Sequence, residues 1–325
     1  MWQQGIPDEQ WDVALFAAGG HFLQSSHWAA FQSALGKPIF YASGDGWQCL
    51  AILEKSRTGT RLYCPYGPYA KNAEALNQAL AALKQLAKAQ SALFVRMEPV
   101  VPIAEEKLRA HGLKPALKDI QPRLTWVKDL TRSEDELMTE MSATNRNLHR
   151  TAINKGLTFR STRNVGDLHV FLDMIHEVAK NTGMQPHPDS YYEKMASSLM
   201  PRAAMTMYIG EHDGMPVASA LVFDSPNTRY YAHAGSRTEA RKLHPGTPLV
   251  STMIFEAKTN GQKLFDFYGI APPDQPNHPW AGFSRFKRSF GGGYKAYLGT
   301  WEMPVSVTYH LYRGAYKAKK LLRGK

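Results

Sequence analysis

The chain has 325 residues, 43% of them hydrophobic, and carries a net charge of +11 at neutral pH. This length exceeds one ordinary hydrophobic core and predicts two packed domains. No apolar run of about 18 residues is present, and residues 1–11 contain Asp8 and Glu9 without an apolar stretch, so neither a membrane-spanning helix nor a secretory signal is expected. Cys49 and Cys64 form neither a disulfide framework nor a metal motif. They fit a reducing cytosol, and we expect a cytoplasmic protein.

The positive charge is concentrated near the C-terminal end of the sequence. Between residues 282 and 325, ten basic residues are opposed only by Glu302. A concentrated basic surface attracts the phosphates of nucleic acids, lipid headgroups or nucleotides, although a basic end also serves solubility alone. The basic residues are Arg285, Lys287, Arg288, Lys295, Arg313, Lys317, Lys319, Lys320, Arg323 and Lys325.

Hydrophobic periodicity predicts α/β structure in the first part of the chain. Asn72 is the expected N-cap of a helix over residues 73–90, whose leucines recur at helical spacing. Gly112 is expected to end a short helix over residues 105–110. The last strand of this part is expected to end at Glu98. Strands are predicted at residues 48–54, 61–64 and 92–97.

A second block repeats the alternation of helices and strands. Residues 167–180 have an amphipathic helical pattern, with Gly183 beyond its end, and Asp189 is expected to cap the next helix. A helix is predicted over residues 247–259, ended by Gly261. The predicted strands are residues 124–129, 205–210, 217–223, 229–234, 263–268 and 294–301.

A basic helix is predicted to close the chain over residues 309–322. The order of elements in the second block resembles the order in the first. This repetition predicts an α/β protein built from two related modules.

Residues 264–297 combine a strand end with an unusual loop composition. A buried strand is expected to end at Tyr268, and a proline-rich stretch follows it. Residues 283–290 then interleave aromatic and basic side chains before a triple glycine. A lysine flanked by aromatic residues, as Lys287 is, can offer a fixed positive charge that stabilises a developing oxyanion. Composition alone favours a lysine that extends from an ordinary loop.

Other constellations in the sequence are less specific. Arg146 and Arg150 are four residues apart and share one face of a helix predicted over residues 143–156. That face could hold phosphate, although a solvated face is the commoner outcome. The twelve histidines form no HxxxH pair or Cys/His cluster, so no metal site is expected. No nucleophile elbow, Walker loop or Rossmann fingerprint is present.

Eight short segments distributed along nearly the whole chain carry a more specific signal. They are FLQSSHWAAFQ, PYGPY, LFVRMEP, IQPRLTWVKDL, NRNLHRTAINKGL, YYAHAGS, LFDFYGI and FSRFKRSFGG. In this order, the segments resemble the FemABX peptidoglycan-bridge aminoacyltransferases. Any one segment would be weakly specific, and their common order makes the resemblance informative.

The resemblance implies two GNAT-like modules without the coiled-coil arm that some family members insert. The first module would comprise residues 1–120 joined by residues 300–325, and the second residues 121–299. The implied reaction transfers an aminoacyl group from aminoacyl-tRNA to the stem-peptide side-chain amine of a peptidoglycan precursor, usually a lysine. The product is an interpeptide bridge of the cell wall, and aminoacyl-tRNA is a co-substrate, with no cofactor implied.

The family's functional positions fall on identifiable residues of this sequence. The resemblance implies that Lys287 stabilises the tetrahedral oxyanion and that Phe286 forms a wall of the cleft. It implies that Glu98 lies near the nucleophilic amine, and that Tyr191 and His233 occupy tyrosine positions of the substrate site. Further implied substrate contacts are Tyr268, Gln32 and His187, and the implied contacts to tRNA phosphate are Arg285, Arg288, Arg146 and Arg150.

Two positions depart from the family's pattern. Members that use the soluble UDP-linked precursor hold its diphosphate with a lysine and an arginine, where this chain has Gln32 and His187. Neither side chain carries a permanent charge at neutral pH. The lipid-linked precursor is therefore favoured as the acceptor. A peripheral contact of the protein with the inner membrane surface is compatible with the sequence. The residues leave open the amino acid transferred, the number of residues added and the oligomeric state.

Two other functions remain open at this point. A GNAT-like N-acyltransferase would use acyl-CoA and a small amine, yet the (Q/R)xxGx(G/A) phosphate loop of that class is approached only by RKLHPGT at residues 241–247, which does not match. A non-catalytic module that binds tRNA or an anionic membrane is the other alternative. In that case Lys287 would contribute to binding no more than any other lysine.

Overall fold

A computed structural model describes residues 1–323, and side chains as far as Ala318. The chain divides into two compact units, one formed by Met1–Arg123 with the chain from Tyr297 onward, and one by Leu124–Ala296. Four of the basic residues noted near the C-terminal end lie outside the described side chains. They are Lys319, Lys320, Arg323 and Lys325.

Helices and strands alternate along the chain. In the first part they are β1 (Gln3–Gln4), α1 (Glu9–Ala17), α2 (Ser26–Ala34), β2 (Ile39–Gly44), β3 (Trp47–Ser56), β4 (Gly59–Cys64), β5 (Tyr69–Ala70), α3 (Ala73–Ala89), β6 (Phe94–Met97), α4 (Glu105–Ala110) and β7 (Lys114–Pro115). Then come β8 (Leu124–Asp129), α5 (Glu134–Glu140), α6 (Ala143–Thr151), β9 (Leu157–Thr162), α7 (Leu168–Thr182), α8 (Asp189–Leu199), β10 (Met205–His212), β11 (Met215–Asp224), β12 (Thr228–Ser236), α9 (Gly246–Thr259), β13 (Leu264–Gly269), α10 (Ala281–Arg288) and β14 (Gly293–Ala296). The described chain ends with β15 (Trp301–Pro304) and α11 (Tyr309–Arg323).

The two sheets share one topology. The first has the order β1-β2-β3-β4-β6-β15-β7, with β5 paired beside β3, and the second has the order β9-β10-β11-β12-β13-β8-β14. In each order only the central pair, β4-β6 or β12-β13, is parallel. Each sheet also contains one strand from a distant part of the chain. In the first sheet β15 lies between β6 and β7, and in the second sheet β8 lies between β13 and β14. The prediction of two related α/β modules is confirmed.

Local sequence explains the helix that covers the first sheet. The side-chain oxygen of Asn72 accepts a hydrogen bond of 2.9 Å from the Ala75 N–H, so Asn72 caps α3 as predicted. Leu76, Leu80 and Leu83 recur on one face of α3 and are buried in the first core. The second core forms in the same way around α9, β13 and the residues that follow α10.

The prediction of one continuous strand over residues 294–301 is wrong, because this segment forms two strands. The chain pairs with β8 as β14, leaves the second sheet at Ala296, and pairs with β6 as β15 from Trp301. Gly299 lies between the two strands with φ of +77°. This left-handed backbone favours glycine and lets the chain change sheets.

Several other boundaries differ from the sequence predictions. The aromatic and basic residues of 283–290, expected in a loop, lie mostly on α10. Asp189 is the first residue of α8, and its carboxylate pairs with His176 instead of capping the helix. Residues 158–222 contain α7 and α8 and no coiled-coil arm, as expected. Within the described residues, no helix has both the length and the apolar character needed to cross a membrane.

Candidate functional site

Strand β13 ends around a buried carboxyl group. Asp266 is 1% exposed, and its carboxylate accepts hydrogen bonds from the Tyr268 N–H at 2.7 Å and the Thr125 hydroxyl at 3.3 Å. Tyr268 has φ of +64°, an uncommon backbone for a residue with a side chain. Burial raises the pKa of Asp266 to about 6, and the Tyr268 N–H and nearby positive charges oppose that rise. Asp266 therefore fixes the shape of the strand end.

Lys287 meets this strand end from α10. Its ammonium donates a hydrogen bond of 2.7 Å to the Gly269 carbonyl and lies 5.1 Å from the centre of the Phe283 ring. Only 9% of Lys287 is exposed, so it is not the loop lysine that composition favoured. Burial lowers the pKa of Lys287 to about 8, and Asp266 partly offsets that effect. The side chain is mostly charged at pH 7.

The rest of α10 is locked to the chain that follows β13. The Ser284 hydroxyl accepts a hydrogen bond of 2.8 Å from the Ala271 N–H, and Arg288 donates one of 3.0 Å to the Ala271 carbonyl. Phe286 packs edge-on against Phe290 at 5.1 Å and joins the second core. Arg285 is exposed. The helix therefore holds Lys287 rigidly, and of the two predicted phosphate contacts on α10, only Arg285 faces solvent.

The turn from α10 to β14 depends on Gly292. Its φ is +104°, and a Cβ atom placed there would lie 2.2 Å from the Val127 carbonyl oxygen. Only glycine permits this approach of the two backbones. The conformation lets β14 pair with β8 directly after the helix that carries Lys287.

A cluster of aromatic rings brings together three of the predicted substrate-binding residues in the second unit. His187 stacks on Tyr191 with ring centroids 4.0 Å apart, and Tyr192 meets Tyr191 at 5.7 Å and His233 at 5.4 Å. Burial lowers the pKa of His233 to about 4, assisted by His187, so His233 is neutral at pH 7. Tyr192, which links the cluster, was not singled out in the sequence, although the tyrosine pair was visible there.

The backbone opens beside this cluster. The parallel pairing of β12 with β13 ends at Tyr230 and Asp266, and the β11-β12 register shifts between Leu221, which pairs with His233, and Val222. A bulge of this kind redirects side chains and bends the strand. The ends of β12 and β13 that no longer pair with each other carry His233 and the strand end that contacts Lys287.

In the first unit, Glu98 directly follows β6. It is 1% exposed, and its carboxylate accepts hydrogen bonds of 2.8 Å from the Thr300 hydroxyl and 3.2 Å from the Tyr66 N–H, with the Tyr63 hydroxyl a weaker donor. Burial raises the pKa of Glu98 to about 7, against the effect of these hydrogen bonds. Glu98 therefore exchanges a proton near neutral pH.

Glu98 and Asp266 occupy related places in the two sheets. Each lies at or just after the inner strand of the parallel pair, β6 or β13. Each accepts a hydrogen bond from a threonine at the strand inserted from a distant part of the chain, Thr300 before β15 or Thr125 in β8. The repeat thus positions a buried carboxyl group at the same place in each sheet, and of these two only Glu98 was predicted.

Gln32 is buried and already has a partner. It is 4% exposed on α2, and its side-chain oxygen accepts a hydrogen bond of 3.0 Å from the Lys37 ammonium. Lys37 also pairs with Glu54 at 3.3 Å. A lysine thus stands beside Gln32, although a carboxylate balances its charge. Lys37, which lies five residues from Gln32, was not among the predicted site residues.

Arg146 and Arg150 line an open groove of about 940 Å³ in the second unit. Arg146 donates hydrogen bonds to the Thr139 and Met141 carbonyls, the second at 2.5 Å, and so caps the end of α5. Arg150 is exposed. The groove also contains carboxylates, which balance the two arginines. These are Glu134, Asp135 and Glu256.

The described residues contain no cluster of His, Cys, Asp and Glu side chains able to hold a metal ion. Cys49 and Cys64 are buried and unbridged. Burial, with Cys49 adding to its effect, raises the pKa of the Cys64 thiol, which keeps it in its unreactive protonated form. The geometry described above instead offers buried carboxyl groups, a buried ammonium and aromatic surfaces.

This double sheet with one parallel central pair in each half defines the class of tandem GNAT-like proteins. A model of the FemAB family matches residues 16–114, 108–208 and 202–317. The chain belongs to the FemAB family, and the resemblance drawn from its sequence is confirmed.

Curated relatives include the lipid II:glycine glycyltransferase of Staphylococcus aureus, which is 30% identical over 140 residues. The match covers 39% of this chain and spans only 33% of the length of that relative.

Solved structures show the same fold over nearly the whole chain. FemX superposes with a TM-score of 0.84 at 19% identity, covering 96% of this chain and 100% of that one. The L-PGS protein of Bacillus licheniformis gives a TM-score of 0.58 at 14% identity, covering 95% and 96%. A tandem GNAT protein from the clavulanic acid biosynthesis pathway gives 0.55 at 13% identity, covering 94% and 99%.

Proposed function

We propose that this protein is an aminoacyltransferase that moves an aminoacyl group from aminoacyl-tRNA to a stem-peptide side-chain amine of a peptidoglycan precursor. The observation that carries the proposal is the Lys287 ammonium, buried at the end of β13 in a chain of the FemAB family. The relative from Staphylococcus aureus, by its name, transfers glycine to a lipid-linked precursor, which supports the same reaction class here.

The reaction needs little covalent assistance from the protein. The acceptor amine attacks the ester carbonyl of the aminoacyl-tRNA, a C–N bond forms, and a tetrahedral intermediate carries a negative oxygen. Collapse breaks the ester C–O bond, and the ribose oxygen of the tRNA leaves after taking a proton. Orientation of two substrates and stabilisation of the oxyanion can supply most of the acceleration.

Lys287 is proposed as the charge that stabilises the oxyanion. With a pKa of about 8 it carries its proton at pH 7, and its low exposure keeps water from screening the charge. The same proton suits delivery to the leaving ribose oxygen, because its pKa lies close to the working pH. Phe286, fixed against the second core, and Tyr268, fixed by Asp266, are proposed to shape the surroundings of the ester.

The remaining candidate residues are proposed as acceptor contacts, each within its own unit. In the first unit, Glu98 has a pKa of about 7 and suits exchange of a proton at neutral pH. His187, Tyr191 and His233 are proposed to bind the stem peptide through their shared aromatic surface. Gln32, which is buried and held by Lys37, is expected to act on the acceptor only through its neighbours.

The lipid-linked precursor is proposed as the acceptor in preference to the UDP-linked one. The charge beside Gln32 is balanced by Glu54, and His187 is stacked on a tyrosine, so neither position presents an unbalanced permanent charge for a diphosphate. The proposed place of action is therefore the cytoplasm, at the inner face of the membrane that holds this lipid.

A transfer assay tests the proposal. Purified protein is mixed with radiolabelled aminoacyl-tRNA and, separately, with lipid-linked or UDP-linked muropeptide. We expect label to move to the lipid-linked acceptor at a higher rate than to the UDP-linked one. A parallel reaction supplies acetyl-CoA and the same amines. Consumption of acetyl-CoA without any movement of aminoacyl label would replace this proposal with the acyl-CoA-dependent alternative.

A further inference from the structure

Two large aromatic side chains lie exposed at the start of α10. Trp280 is 38% exposed and Phe283 is 43% exposed. Their ring centroids are 5.7 Å apart with 40° between the ring planes, and His278 lies edge-on to Trp280 at 5.3 Å. We call Trp280, Phe283 and the neighbouring exposed Arg285 the α10 aromatic surface. Among the described residues, its rings are not part of the first core, the second core or the small hydrophobic cluster around Leu157.

The backbone holds the Trp280 position in place. Its carbonyl accepts hydrogen bonds of 2.9 Å from the Ser284 N–H and 2.6 Å from the Ser284 hydroxyl. Its N–H donates a hydrogen bond of 3.0 Å to the Nδ1 atom of His278. The Trp280 ring itself packs against the rings of Phe283 and His278, and a ring with packed neighbours loses less conformational freedom when a ligand stacks on it. The α10 aromatic surface is therefore prepared for a planar ligand.

The charge around these rings is positive. Residues 275–301 contain no aspartate or glutamate and include Arg285, Lys287, Arg288 and Lys295. Arg285 faces solvent on α10, and the Lys287 ammonium lies over the Phe283 ring. Exposed aromatic rings beside positive charge are the combination by which proteins bind single-stranded nucleic acids, because bases stack on the rings and phosphates meet the charges.

We propose that the α10 aromatic surface binds the single-stranded 3′ end of the RNA donor, with bases stacked on Trp280 and Phe283 and a phosphate at Arg285. This inference rests on the proposed function and names the part of the donor that the surface takes. The Phe283 ring joins the surface to the reaction centre, since the Lys287 ammonium lies 5.1 Å from its centre. A terminal nucleotide stacked there brings its ester next to Lys287.

Binding of two RNA hairpins tests the proposal on the full chain. One hairpin carries a four-nucleotide single-stranded 3′ extension and the other is blunt, and the affinity of each is measured by fluorescence anisotropy at fixed salt. We expect Trp280→Ala to weaken binding of the extended hairpin by about 10-fold or more and to leave the blunt hairpin unchanged. Trp280→Phe keeps a stacking ring and should retain affinity within about 3-fold.

Further variants separate stacking from simple loss of an exposed ring or charge. Phe283→Leu keeps apolar cover for Lys287 but removes the ring, and should reproduce the loss seen with Trp280→Ala. Arg285→Ala should reduce the salt dependence of binding. Tyr316→Ala is the matched control, because Tyr316 is an aromatic residue of similar exposure, 41%, on α11. Equal losses for Tyr316→Ala and Trp280→Ala would overturn the proposal.

Vesicle binding and aminoacyl transfer by the same variants separate an RNA surface from a membrane surface. If Trp280→Ala loses binding to vesicles of anionic phospholipid and keeps its affinity for the extended hairpin, the surface contacts membrane and the proposal is wrong. If wild-type transfer from aminoacyl-tRNA proceeds and Trp280→Ala changes neither binding nor transfer, the surface proposal fails while the proposed function stands. If no charged tRNA donates but extension binding still needs Trp280, the proposed function fails and the surface proposal stands.

Discussion

The Lys287 ammonium donates a hydrogen bond of 2.7 Å to the carbonyl oxygen of Gly269. One partner lies on α10 and the other at the last residue of β13, so the bond joins helix and strand end at the point where β12 and β13 no longer pair. The Gly269 carbonyl satisfies one of the three donors of the ammonium. Among the described side chains no carboxylate forms an ion pair with this buried charge, and Asp266 acts on it only at longer range.

Replacement of this lysine should affect turnover more than binding. For Lys287→Met we expect kcat to fall by about 10²- to 10³-fold, with KM changed by a few-fold at most, because a charge that acts on the oxyanion is needed in the transition state. Steady-state transfer kinetics measure both parameters. Lys84→Met is a matched control on the exposed face of α3 and should match wild type. Equal losses in kcat and affinity would contradict the role.

The same lysine should set an upper limit on the pH range of activity. Its pKa is lowered to about 8, so the positive charge is present below that pH and is lost as the pH rises through it. The acceptor amine gains reactivity with rising pH in wild type and variant alike. The ratio of wild-type to Lys287→Met turnover should therefore fall above about pH 8. A constant ratio between pH 7 and 10 would exclude titration of Lys287.

Glu98 should make the protein less stable as the pH rises through neutrality. Its folded-state pKa is about 7, above the ordinary value of 4.5, so the unfolded chain releases the proton first as the pH rises. The contribution of Glu98 to the free energy of unfolding is fully present below about pH 4.5. It declines as the pH rises through 7, by up to about 3 kcal/mol. Urea unfolding at pH 5 and pH 8 measures the change in the free energy of unfolding between the two conditions. This change should be smaller for Glu98→Gln than for wild type. Glu74→Gln, exposed on α3, should leave it unchanged.

Asp266 should act on the strand end and, through it, on Lys287. Asp266→Ala removes the acceptor of the Tyr268 N–H, in a backbone of positive φ, and leaves a buried donor unsatisfied. We expect a loss of about 1–3 kcal/mol of unfolding free energy together with a lower kcat. Asp266→Asn keeps a side-chain oxygen and should recover most of both. Recovery of stability without turnover would assign Asp266 a purely electrostatic role.

A buried carboxylate should anchor α11 to the first sheet. Glu302 is 2% exposed on β15 and accepts hydrogen bonds from Arg96 at 2.5 Å and from Arg313 of α11 at 3.1 Å. Glu302→Ala leaves two guanidinium groups without their partner and should cost about 3–5 kcal/mol in chemical unfolding. Glu105→Ala, which breaks the exposed pair with Arg123, should cost at most about 1 kcal/mol. Similar costs for both would contradict this anchoring.

The sequence predicted best those helices whose ends are determined by residues close to them in the chain. The helix after Asn72 and the helix ended by Gly183 begin or end near their predicted positions, because caps and amphipathic faces are encoded within one or two turns. The prediction of a single strand over residues 294–301 was wrong, because the two halves of this segment pair with β8 and β6, which are distant in sequence. No periodicity within eight residues reveals a change of sheet.

Only part of the candidate site could be predicted from the sequence. Lys287 gained a role through the resemblance, and its burial on a helix became apparent only with the fold. Asp266 was missed because its partner Thr125 lies 141 residues away, and the significance of a carboxyl group depends on such contacts. Trp280 follows a proline-rich stretch, and its exposure beside Phe283 depends on where α10 begins.

Mass spectrometry of the acceptor after reaction tests the central claim most directly. The purified protein is incubated with lipid-linked muropeptide and charged tRNA, with one portion of the tRNA digested by ribonuclease beforehand. We expect a mass increase of one aminoacyl residue on the stem-peptide side chain, absent after digestion and strongly reduced for Lys287→Met. An unchanged acceptor mass with every charged tRNA, or an increase that survives digestion of the tRNA, would contradict it.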